Sequence, residues 1–144
     1  IQIRYVRGAL KADVYLYDLG AYPLPIDVRD PIILQHFKEC CSSIMALSND
    51  SFYSEVKLSR SDGWQLECEG AKLLFLHAQF SLVVTETPVS INIGRQISHL
   101  LLTTFSGWHL KLRVSYPDTT NLERTAEIND FVMDLVRNLK KHFR

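Results

Sequence analysis

Apolar and polar positions alternate most cleanly across residues 97–116, on either side of Ser106-Gly107. Alternation of this kind marks half-buried strands, and a two-residue loop with glycine is a strong hairpin signal. Pairing outward from the loop sets Phe105 against Trp108, Thr103 against Leu110, Leu101 against Leu112, His99 against Val114 and Ile97 against Tyr116 on one mainly apolar face. The other face pairs Thr104 with His109, Leu102 with Lys111, Leu100 with Arg113 and Ser98 with Ser115. A slip of one residue would exchange the faces, so the pattern fixes the register.

The same reading extends along the chain. Residues 1–7 and 12–17 read as strands around a turn, and residues 20–29, with Pro23 and Pro25, as a loop. Asp30-Pro31 opens a helix, because Asp accepts from a free backbone N–H and Pro tolerates the first helical position. Ile33, Phe37, Cys40, Ile44 and Leu47 form its apolar stripe, and Ser48-Asn49-Asp50 ends it. A second hairpin is expected around a Ser61-Asp62-Gly63 loop, pairing Arg60 with Trp64, Leu58 with Leu66 and Val56 with Cys68. Residues 71–85 form an apolar strand, with Leu74, Leu76, Ala78, Phe80, Leu82 and Val84 on one face and Leu73, Phe75, His77, Gln79, Ser81 and Val83 on the other. Both faces of such a strand want cover. After a loop at 86–95 and the long hairpin, Thr120 and Glu123 make a capping box for a last helix. Its buried stripe is Ile128, Phe131, Val132, Leu135 and Leu139.

This order predicts an α+β fold: one antiparallel sheet of about six or seven strands with two amphipathic helices, in an α/β/α sandwich. Leu100 and Leu102, on the face carrying His109, Lys111 and Arg113, ask for a helix over part of that face. The 144 residues suit a single domain with a core that needs no staple.

Composition narrows the function by exclusion. Sixteen basic residues balance sixteen acidic ones, which gives no electrostatic argument for nucleic acid or an anionic membrane as partner. The longest apolar run is broken by His77, Gln79 and Ser81, so no transmembrane segment is expected. The first residue is Ile1, as expected of a processed or excised product. Cys40 and Cys41 are adjacent on a helix and point apart; either can pair with Cys68 if the fold brings their Cα atoms within about 7 Å, although the odd total argues for thiols over a disulfide framework.

No phosphate loop, metalloprotease helix, paired-cysteine motif, nucleophile elbow or calcium loop is present. His36, His77, His99, His109 and His142 share no metal spacing, so no metal or cofactor is expected, and no residue is assigned a catalytic role. His109, Lys111 and Arg113 alternate along one strand face, where they can hold an anion or an acidic surface by charge-assisted hydrogen bonds. His77, Gln79 and Ser81 can line a small pocket on another strand. Three functions stay open. The first is a non-enzymatic domain that binds a protein partner. The second is a module for an apolar ligand, enclosed between the sheet and the C-terminal helix by Phe75, His77, Gln79 and Ser81. The third is an enzyme with His77 or His109 as base and Asp13 or Asp18 as its carboxylate.

The stretch Ala12-Asp13-Val14-Tyr15-Leu16-Tyr17-Asp18-Leu19-Gly20, the capped helix, and the stretch from Leu101 through Ser106-Gly107-Trp108 to Pro117 resemble small bacterial α+β domains of the PsbP-like type. The resemblance covers about a third of the chain. It implies a compact sandwich, a non-catalytic role and a place at the cell envelope, and it carries no catalytic residue across.

Overall fold

The computed structural model describes residues 1–20, 22–85, 94–118 and 124–142. Strands β1 (Gln2–Arg7) and β2 (Leu10–Tyr17) precede helix α1 (Pro31–Met45), which runs into a 3₁₀ turn at Ala46–Asn49. Strands β3 (Tyr53–Cys68), β4 (Ala71–Val84), β5 (Gly94–Phe105) and β6 (Trp108–Pro117) follow, and helix α2 (Thr125–His142) ends the chain's described elements. The six strands make one antiparallel sheet in the order β1-β2-β6-β5-β4-β3.

The β5–β6 hairpin has the expected register at every pair from Ile97–Tyr116 to Phe105–Trp108. Ser106 and Gly107 both take positive φ, 49° and 82°, the mirror-image turn whose twist matches that of the strands. The loop before α1 packs on this turn: Leu24 N–H donates to the Gly107 carbonyl at 2.9 Å. Asp30 caps α1 by accepting from the Ile32 N–H at 3.0 Å, and Pro31 occupies the first turn. The capping box at Thr120 and Glu123 lies outside the described residues.

One expected hairpin is absent. Ser61, Asp62 and Gly63 are mid-strand in β3, paired with Ala78, His77 and Leu76 of β4. The reversal comes instead at Glu69-Gly70, where both residues take positive φ, 53° and 78°. Four strands therefore follow α1, not five. The sequence misled because β3 is an edge strand with two register shifts, at Ser54/Lys57 and Leu58/Arg60. Each added residue flips the faces. Val56 and Trp64, two residues of the same parity, thus end in opposite cores.

Apolar burial divides into two layers. Ile33, Phe37, Cys40 and Ile44 of α1 pack on Val56, Ala78, Phe80, Leu82, Val84, Leu100 and Leu102. Ile128, Val132 and Val136 of α2 pack on Leu10, Ala12, Val14, Leu16, Trp64, Leu66, Phe75, Leu101, Leu110, Leu112 and Val114. The fold is the α/β/α sandwich, with one helix over each face of the sheet. Cys68, on the Trp64–Leu66 face of β3, is separated by the sheet from Cys40 under α1, and all three cysteines are free thiols. No helix among the described residues is long and apolar enough to cross a membrane.

Candidate functional site

The face with His109, Lys111 and Arg113 lies under α1, as Leu100 and Leu102 on that face ask. Leu100 and Leu102 draw the helix over them by adding apolar surface to that face. His109 is 2% exposed. Its ring lies 4.5 Å from that of His36 on α1 and 5.2 Å from that of Tyr17 on β2. Tyr17 Oη is 2.6 Å from His36 Nε2, and Cys40 Sγ is 3.6 Å from the same nitrogen. The buried Nδ1 atoms of His36 and His109 have no hydrogen-bond partner among the described residues; Glu39 stands 3.6 Å from the former, too far to bond it. Burial, with His36 beside it, holds the His109 pKa down at about 4. Burial lowers that of His36 and raises that of Cys40, so the pair is neutral and the thiol protonated at neutral pH.

Lys111 and Arg113 take different partners. The Lys111 ammonium sits over the rings of Tyr15 and Tyr17, 4.7 and 5.5 Å from their centroids. Arg113 donates through Nε and Nη2 to Ser98 Oγ at 3.2 and 2.9 Å, and Ser98 and Ser115 hydroxyls share a bond of 3.0 Å. The carboxylate opposite Arg113 on β2, Asp13, is held by Arg4 at 2.8 Å. Both cations thus have partners within the sheet, aromatic rings for Lys111 and a hydroxyl for Arg113.

On the opposite face, four polar side chains, one from each of four neighbouring strands, form a line. His77 on β4 donates through Nδ1 to Asp62 Oδ1 on β3 at 2.7 Å. His77 Nε2 is 2.9 Å from His99 Nδ1 on β5, and His99 Nε2 is 2.9 Å from the Tyr116 hydroxyl on β6. The carboxylate can only accept, which sets the direction of the chain: Tyr116 O–H donates to His99, His99 Nδ1–H to His77, and His77 Nδ1–H to Asp62. Both histidines are neutral, because burial lowers the pKa of His77 and takes that of His99 to about 3. Trp64 stands edge-on to His77 at 4.7 Å and donates from its indole to Asn129 Oδ1 of α2 at 2.7 Å. Gln79 and Ser81 do not join the line; Ser81 accepts from Arg95 at 3.3 Å at the surface. Asp62, not Asp13 or Asp18, is the carboxylate at His77.

A cavity of about 430 Å³ opens between the β1–β2 edge and α2. Tyr5, Arg7 and Leu10 line one wall, and Phe131, Leu135 and their neighbours between Glu127 and Lys141 line the other. It lies between sheet and C-terminal helix, as the apolar-ligand reading required, but at the other edge from the expected lining. Phe75 and His77 are 0% exposed, and Phe75 is part of the core under α2.

No family model matches this chain, and no curated protein matches it either. Function therefore rests on the geometry. Among the described residues, no three His, Cys, Asp or Glu side chains converge as metal ligands. Sequence reading placed His77 and His99 on interior faces but missed their union. Asp62 reads as part of a turn in the sequence, and the β4–β5 register has no local signal.

Proposed function

We propose that this chain is a protein-interaction domain that takes up an extended, acidic segment of a partner as an added strand on β1. The observation that carries this reading is the contrast between the two sheet edges. The β3 edge is guarded: it carries Glu55, Lys57, Arg60, Asp62 and Glu67, and two bulges twist it. The β1 edge pairs with β2 without a bulge and is exposed along all six residues. Ile3, Tyr5 and Val6 are 52%, 44% and 58% exposed there.

Ile1 and Leu16 exchange both backbone bonds at 2.9 Å, so Ile3, Tyr5 and Arg7 bond to β2 and the N–H and C=O groups of Gln2, Arg4 and Val6 point outward. An incoming strand would bond these groups and turn alternate side chains toward α2, into the cavity beside Tyr5 and Phe131. The lining from Glu127 to Lys141 spans about 21 Å of helix, the length of about six extended residues. Charge selects the occupant. The lining acids are paired, Glu127 with Arg124 at 3.6 Å and Asp134 with Arg137 at 3.3 Å, whereas Arg7 and Lys141 have no ion pair among the described residues. An acidic strand complements them; a second copy would crowd Arg4 and Arg7 of both chains along one seam. The sealed, neutral histidine clusters also favour binding over catalysis, in keeping with the PsbP-like likeness.

Panning a randomised peptide library displayed on phage tests this. Acid-bearing peptides with alternating apolar residues should be selected, and Val6→Pro, which removes only an outward N–H, should abolish their binding without unfolding the domain. Selected peptides that bind Val6→Pro equally well, or self-association through β1, would overturn the reading.

A further inference from the structure

The Asp62–His77–His99–Tyr116 line can take another proton only by rearranging its hydrogens. A proton on His77 Nε2 would face the His99 Nδ1–H across 2.9 Å. Relief would require His99 to carry its hydrogen on Nε2 instead and the Tyr116 O–H to turn away, leaving its oxygen as acceptor. One end of that rearrangement meets α2 and the other meets the residue that leads into it. Trp64, against the rings of His77 and His99 at 4.7 and 5.9 Å, holds Asn129, and the Arg124 guanidinium lies 5.2 Å over the Tyr116 ring. Facing the relay are Asp62 and Arg60 from β3, 3.5 Å apart, the histidines of β4 and β5, Tyr116 of β6, and Arg124 before α2. Arg95, farther along β5, is paired with Glu55 at 3.2 Å. A proton gained here therefore joins two guanidinium groups and one carboxylate.

We infer that acid opens the groove: the relay takes up a proton only when Arg124 and the first two turns of α2 lift from Tyr116 and Trp64. Because α2 is one wall of the cavity beside β1, the domain holds its acidic segment near neutral pH and releases it in acid. This control rests on the strand-addition reading, but the relay's coupling to α2 is measurable without any peptide. A form that gains one proton on opening is favoured about tenfold for each pH unit below the histidine range.

Hydrogen exchange of the peptide-free domain, read by mass spectrometry from about pH 7.5 to about pH 5 and corrected for intrinsic chemistry, is the test. The start of α2 should exchange at least about tenfold faster at the acid end, ahead of β5 and β6. In a Trp108→Phe background, emission from Trp64 should change over the same range. Tyr116→Phe, which frees His99 Nε2 to take a proton in the closed form, should flatten the dependence, as should His77→Phe. An α2 that exchanges alike at both pH values, or one as acid-sensitive in both variants as in the parent, would overturn the inference. Peptides that bind elsewhere than β1 would sink strand addition, and with it the release, while leaving the relay's own coupling measured. Peptides held equally at both pH values by a domain whose α2 does loosen would sink the release alone.

Discussion

Acidification should cost this fold about 4 kcal/mol between pH 7 and about pH 5. Burial holds the pKa of His99 at about 3 and that of His109 at about 4, both below the ordinary histidine value near 6.5. The depressed values set the sign. The unfolded chain takes up protons first as pH falls, so stability is complete above about 6.5 and is lost steadily down to the folded values. At pH 5 each histidine is about 1.5 units below its unfolded pKa and still neutral in the fold. At about 1.4 kcal/mol per unit that is about 2 kcal/mol each. His36 and His77 are lowered too, in the same direction. With a urea m-value of about 2 kcal/mol/M, the unfolding midpoint should fall by about 2 M. Urea melts followed by circular dichroism at the two pH values measure this. His109→Phe keeps a ring against His36 and Tyr17 but removes one titration, so its midpoint should fall by about half as much. A midpoint that moves by less than about 0.5 M, or an equal drop in His109→Phe, would refute the assignment of these rings as buried and neutral.

Three further substitutions test the packing. Gly63 is mid-strand, and an added Cβ would meet only Leu74 Cδ1, at an ordinary 3.5 Å, so Gly63→Ala should be neutral or stabilising by about 0.5 kcal/mol in chemical melts. Gly70→Ala, at φ +78°, should cost about 1–2 kcal/mol; the reverse ranking would restore the turn at Ser61-Asp62-Gly63. Leu112 is 0% exposed between β2 and α2, so Leu112→Ala should cost about 2–5 kcal/mol, and a loss under about 1 kcal/mol would contradict the α2-side core.

The parts of the fold that were legible in the sequence are those with strong local signals. Ser106-Gly107 with its flanking alternation set β5 against β6, and Asp30-Pro31 with the stripe from Ile33 to Ile44 set α1. The failure at Asp62-Gly63 has the same origin. That pair is a better turn signal than Glu69-Gly70, but a 14-residue β4 offers a long partner, and pairing along it outweighs local preference. The site was legible only strand by strand. His109, Lys111 and Arg113 share a face as expected, yet what covers them depends on where α1 docks. The tie from His36 to Tyr17 spans 19 residues, and that from Trp64 to Asn129 spans 65. The β1 edge was invisible because exposure of Ile3 and Val6 follows from strand order, not from residues 1–7.

The most direct measurement is an amide chemical-shift titration of the isotope-labelled domain with a selected acidic peptide. Strand addition predicts that the outward amides of Gln2, Arg4 and Val6 move most, with α2 residues from Glu127 to Lys141 moving beside them. Shifts centred on His109 and Lys111 under α1, with β1 unmoved, would contradict it.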